Sequence, residues 1–335
     1  MWNPDRYLQD LLARTKPEFA FAAASQEELA DWQSRLRERF AAALGGAPGE
    51  PAPLDPKPLE SVDCGEYVRH RVELGTFDSL RMPCYLLVPK GIDEPRPAVI
   101  ALHGHGFGSK DAVGLNEDGT PNEGDGGYHR KFAERLALAG YVALVPELLG
   151  FGDRKLAEDA NNYASCHRIS TFLLAVGKTM AGARVFETLR CIDYLQTLPY
   201  VAGNRIGCMG ISGGGLVATF ATAIDDRLRA AVVSGFFNTF EASILGMHHC
   251  VDNYVPGLSL IAELPDLFGL IAPRPLLIEA GTKDHIFPIE AVNASYPRLQ
   301  EMYRVAGADG NLDIDVFDRG HEISGAKAYD WFGRL

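Results

Sequence analysis

Between an apolar run, Ile206 to Met209, and a helix-like stretch beginning at Gly214 stands Gly210-Ile211-Ser212-Gly213-Gly214. A serine on a tight strand-to-helix turn presents its hydroxyl to a substrate, and the residues two places away on each side must be small for strand and helix to pack closely. Gly210 and Gly214 meet that need. A serine hydroxyl is a weak nucleophile until an imidazole takes its proton and a carboxylate holds that imidazole in the right tautomer. Both partners are expected in loops after later strands. Asp284 follows the apolar run Pro275 to Glu279, and His321 follows Leu312 to Phe317. Asp318, three residues before His321, is the weaker candidate for the acid, because a residue still at the strand end cannot easily reach back to the ring. His285 is read as a loop residue facing solvent or the pocket rim.

Charge that develops on a carbonyl oxygen during attack needs backbone N–H groups aimed at it. Gly213 supplies one. The loop after Ala98 to Leu102 reads His103-Gly104-His105-Gly106-Phe107-Gly108, where glycines let the backbone approach a ligand; the N–H of His105 is the first choice and Gly106 the next. Ser109 stands where a dinucleotide loop would need its third glycine, so no nucleotide site is expected. Phe107, Arg154, His248, His249 and Tyr254 are taken as substrate contacts. His248-His249-Cys250 lacks further ligands at recognisable spacing, so no metal and no cofactor is expected. The acidic run Asn116 to Asp125 is read as a solvated excursion.

The elements that must position these groups alternate. Leu29, Trp32, Leu36, Phe40 and Leu44 recur at intervals of three and four, predicting a helix with one apolar face, while Pro4 is expected to interrupt any earlier one. Five prolines between Ala47 and Pro58 predict a tether. Glu66 to Leu74 and Leu80 to Val88 predict an antiparallel pair. Short apolar runs then alternate with helical segments at Tyr128 to Ala139, Val185 to Leu195, Gly214 to Ala223 and Ile289 to Val305, which implies one mostly parallel sheet covered on both faces. The expected organisation is an N-terminal helical extension and tether, 1–58, and a catalytic domain, 59–335, with a lid-like insertion at about 236–268.

The chain has 335 residues, 47% hydrophobic and 23% charged, with a formal net charge of −12. That balance argues against nucleic acid and anionic membranes as partners. A small-molecule ester is the expected partner, and self-association into a homo-oligomer is left open. Asp5 and Asp10 fall where an export signal would be basic and then apolar, and six scattered cysteines show no metal-type spacing, so a cytoplasmic protein with reduced thiols is expected.

Leu102 to Gly106, Asn204 to Gly215, Leu270 to Pro288 and Gly320 to Glu322 together resemble the α/β-hydrolase superfamily over Glu66 to the C-terminus. Within it the chain is most similar to serine esterases of the acetyl xylan esterase and dienelactone-hydrolase-like branch. The resemblance implies a Ser212, Asp284 and His321 triad and an oxyanion hole from the amides of Gly213 and His105. Sugar acetyl esterases of the better-known type carry an Arg-Gly-Gln motif after the fourth strand; here the loop reads Leu149-Gly150-Phe151-Gly152-Asp153-Arg154. Dienelactone hydrolases use cysteine where Ser212 stands. The expected activity is hydrolysis of short-acyl carboxylic esters, acetyl esters among them, through an acyl-enzyme. The alternatives are a prolyl-oligopeptidase-like peptidase, although 65 residues before Glu66 are too few for a propeller, and a non-catalytic binding protein of the same fold.

Overall fold

A computed structural model describes residues 2–335. Nine strands form one sheet: β1 (Lys57–Asp63), β2 (Tyr67–Gly75), β3 (Arg81–Pro89), β4 (Arg96–Leu102), β5 (Val142–Pro146), β6 (Val201–Ile211), β7 (Leu228–Ser234), β8 (Leu276–Gly281) and β9 (Leu312–Phe317). Their order is β1-β2-β3-β5-β4-β6-β7-β8-β9. The first four in that order pair antiparallel, and β5 through β9 pair parallel. This is the α/β-hydrolase fold.

Helices cover both faces: α1 (Asp5–Arg14), α2 (Gln26–Ala43), α3 (Ser109–Ala112), α4 (Phe132–Leu138), α5 (Cys166–Ala175), α6 (Met180–Leu195), α7 (Gly213–Ile224), α8 (Leu258–Ile261), α9 (Leu264–Gly269), α10 (Ile289–Val305) and α11 (Ala328–Trp331). Successive residues of β4 show why the central strands carry no polar alternation. Ile100 and Leu102 enter the core shared with α2, α6, α7 and α10, while Val99 and Ala101 enter the core shared with α4 and α11.

The N-terminal region is part of this core. Ser25 caps α2 by accepting from the Glu28 amide, and Leu29, Trp32, Leu36 and Phe40 are buried along one face. The Phe40 ring meets Phe220 of α7 edge-on at 4.8 Å, and Gln33 donates to the carbonyls of Gly269 and Ala272. Pro4 does not prevent an early helix. It stands at the N-cap of α1, next to the first turn, where its missing N–H costs nothing. Lys57 and Pro58 belong to β1, so a boundary at 58 cuts a strand; β1 is exposed along nearly its whole length and therefore has no apolar alternation to reveal it. Residues 236–268 are largely woven into the core, with Phe236, Phe237, Leu264, Leu267 and Phe268 buried. Among the described residues no single helix is long and apolar enough to cross a membrane.

Candidate active site

Ser212 sits between β6 and α7 with φ 57° and ψ −123°, a left-handed backbone that costs a residue with a side chain about 1–3 kcal/mol. Close approach explains its neighbours. A Cβ on Gly210 would lie 2.2 Å from the Gly214 carbonyl oxygen, and one on Gly214 would lie 2.1 Å from that of Leu102. The turn is pinned by the Ser212 amide, which donates to Ser234 O at 3.0 Å.

Asp284 and His321, from loops after β8 and β9, come together. His321 Nδ1 donates to Asp284 Oδ2 at 2.7 Å, while Asp284 Oδ1 accepts from the amides of Ile286 (2.8 Å) and Phe287 (3.0 Å). Burial alone would raise the Asp284 pKa, but the His321 hydrogen bond and charge and these two amides outweigh it and hold the carboxyl below its ordinary value. The ring of Phe287 stacks on His321 at 5.7 Å. Gly235, just past β7, makes room for the imidazole: a Cβ there would lie 2.8 Å from His321 Cε1. His321 Nε2 is buried with no hydrogen-bond partner among the described residues. Asp318 bonds Thr282 and Lys283 at the surface instead, and His285 is exposed.

The loop after β4 lies against this turn. A Cβ on Gly104 would come within 3.1 Å of Ser212 Cβ, and one on Gly213 within 3.4 Å of His105 Nδ1. The Gly104 amide donates to His129 Nε2 and the Phe107 amide to Asp111, whereas the amides of His105 and Gly213 find no acceptor among the described residues. Tyr128 OH donates to the His105 carbonyl, and its ring lies 5.6 Å from His321.

Two buried histidines support the loop from behind. Leu148 N–H donates to His103 Nε2, so His103 Nδ1–H donates to Gly104 O at 2.8 Å. Protonating either His103 or His129 would put a proton where an amide N–H already points. Burial accordingly pushes His103 down to about 3 and His129 well below its ordinary value. Because these folded values lie below the unfolded one, near 6.5, their stabilisation is complete above that pH and is lost as pH falls through it. From about pH 7.5 to 5.5 each histidine should cost on the order of 1 kcal/mol. Asp111, raised to about 6 by burial, acts in the opposite sense and returns a little under ~1 kcal/mol. The balance of these three groups is a loss of stability on acidification, read as a lower urea midpoint at the acidic end; an unchanged midpoint would contradict it.

The expected substrate contacts divide. Phe107 is 43% exposed and, with Gly106, Lys110, Asp153 and Tyr163, lines a cleft of about 530 Å³ beside the loop. His249 packs against Phe287 at 5.7 Å, and Ser243 Oγ lies 3.2 Å from its Nε2; His248 is exposed. Arg154 is not a pocket residue: it is buried and makes a two-pronged ion pair with Glu187 at 2.6 and 2.7 Å. Tyr254 donates its hydroxyl to Ile244 O and faces a separate groove with Leu11 and Leu258. Tyr128 and His129 escaped the sequence reading. Their signal was an aromatic and an imidazole directly after Gly126-Gly127.

The Abhydrolase family profile matches residues 5–320. The chain belongs to the Abhydrolase family. This hydrolase is 28% identical over 284 residues to YtaP of Bacillus subtilis (strain 168), whose name describes a candidate hydrolase, covering 82% of this chain and 89% of that one. Its fold is shared with a candidate acetyl xylan esterase of Bacteroides fragilis NCTC 9343 (TM-score 0.79, 18% identity, 95% of this chain and 83% of that one). It is likewise shared with a glucuronoyl esterase from Solibacter usitatus (TM-score 0.68, 15% identity, 96% and 99%).

Proposed function

We propose that this hydrolase is a serine esterase of short-acyl carboxylic esters, acetyl esters among them. The observation that carries the proposal is the Asp284–His321 hydrogen bond, together with a serine held on a strained strand-to-helix turn. Ser212 is the nucleophile. His321 Nε2, without a hydrogen-bond partner among the described residues, takes the hydroxyl proton as Ser212 Oγ bonds to the ester carbonyl carbon, and Asp284 stabilises the imidazolium. The oxyanion is received by the N–H groups of Gly213 and His105, whose acceptors are otherwise absent among the described residues. Collapse releases the alcohol with the proton from His321. Water then attacks the acyl-enzyme by the same route and frees the acid.

The esters named for the two structural neighbours, of acetylated xylan and of glucuronic acid, belong in the test. A panel of p-nitrophenyl esters of rising acyl length, an acetylated sugar, a glucuronate methyl ester and a peptide anilide is expected to give highest kcat/KM with acetyl or propionyl esters and no anilide turnover. Anilide turnover exceeding that of every ester would replace the esterase with a peptidase.

A further inference from the structure

We propose that His105, Cys166, Cys250 and Asp252 form a binding site for a thiophilic divalent cation of the Zn²⁺ class. A ring nitrogen of His105, the two Sγ atoms and a carboxylate oxygen all lie within 4.8 Å of one another. A tetrahedral zinc ion with such ligands needs them about 3.3–3.8 Å apart, so the cluster closes with side-chain shifts of about an ångström. One edge is already there: His105 Nε2 stands 3.4 Å from Asp252 Oδ2. That nitrogen is buried and has no hydrogen-bond partner among the described residues. Two thiols and an imidazole select zinc-like ions over magnesium or calcium, which take oxygen ligands.

The surroundings fix the carboxylate as a ligand. Arg184 Nη1 donates to Asp252 Oδ2 at 2.7 Å and Asn253 Nδ2 to Oδ1 at 2.9 Å, the outer contacts that orient a metal-binding carboxylate. Arg184 also lies 3.3 Å from Cys166 Sγ. When the ion enters, both thiol protons leave to water. Two thiolates and one carboxylate then carry −3, and the cation with Arg184 carries +3, so the half-buried site ends neutral. Neither His248 nor His249 joins the cluster. Besides Asp252, two residues on, the partners of Cys250 come from the loop after β4 and from the first turn of α5, which no local spacing reveals.

Four protein ligands leave no open position, so the ion is structural. It ties the loop carrying His105, helix α5 and the 236–268 segment together beside Ser212. The inference does not depend on the esterase reading, and its failure would leave that reading intact.

The test is titration of the reduced 335-residue chain with Co²⁺, followed by displacement with Zn²⁺. One equivalent is expected to produce a near-ultraviolet thiolate-to-cobalt charge-transfer band and visible bands of tetrahedral intensity. A Cys166→Ser/Cys250→Ser variant, shown folded by circular dichroism, should lose the charge-transfer band and the Tm increase with Zn²⁺ seen in the unmodified chain. Should that variant not fold, Cys250→Ala and Asn253→Ala replace it. The first should lose intensity in the band, and the second should weaken cobalt binding about 10- to 100-fold. Absence of a thiolate band in the reduced chain, its persistence in the double cysteine variant or at undiminished intensity in Cys250→Ala, or unchanged affinity in Asn253→Ala would overturn the proposal.

Discussion

Ser212→Ala is expected to lower kcat for a short p-nitrophenyl ester by roughly 10⁶-fold with KM little changed, because the substituted atom reacts only in the transition state. His321→Ala should cost about as much, and the double variant roughly no more than either single one, since nucleophile and base act as one unit. Asp284→Asn should cost less, roughly 10⁴-fold, by holding the His321 ring in the wrong tautomer. Its Oδ1 contacts with the amides of Ile286 and Phe287 keep the side chain in place, so the loss should appear in kcat with the melting midpoint nearly unchanged. Initial rates with active protein concentration fixed by circular dichroism check the series. Additive losses, or a Ser212→Ala variant within tenfold of the parent, would contradict the assigned roles.

Arg154→Leu is expected to destabilise the protein by about 3–5 kcal/mol, because it leaves the Glu187 carboxylate buried without its countercharge. Glu187 keeps only the Thr76 hydroxyl, at 2.8 Å, as its other partner. Replacing both members, Arg154→Leu with Glu187→Leu, removes the stranded charge and should recover much of the loss. The midpoint of urea unfolding reads the effect. Turnover per folded molecule should stay near the parent value, since Arg154 lies outside the site. An unchanged midpoint together with a raised KM would restore Arg154 as a substrate contact.

How far the sequence reached depended on whether a feature was local. The Ser212 turn was legible because its geometry demands glycines within two residues, and the central strands because burial on both faces leaves an uninterrupted apolar run. Asp284 was placed from the loop after such a strand, β8, and His321 from the loop after β9, whose alternating Leu312, Ile314 and Val316 mark a half-exposed edge strand. Arg154 was misplaced because a lone arginine in a Gly-rich loop reads the same whether it faces a ligand or Glu187, a partner more than thirty residues away on α6. Strand β1 was missed because an exposed edge carries no hydrophobic pattern. Tyr128 and His129 act through contacts with His105 and Gly104 that only the folded chain brings within reach.

The central claim is that Ser212 forms a covalent acyl-enzyme with a proton drawn off by His321. The most direct measurement is reaction of the folded protein with a serine-reactive phosphonate, followed by mass spectrometry of the intact chain and of its peptides. One adduct per chain, on the peptide holding Gly210-Ile211-Ser212-Gly213-Gly214, absent from Ser212→Ala and greatly slowed in His321→Ala, is the predicted result. An unlabelled chain that still hydrolyses esters, or an adduct that survives Ser212→Ala, would contradict it.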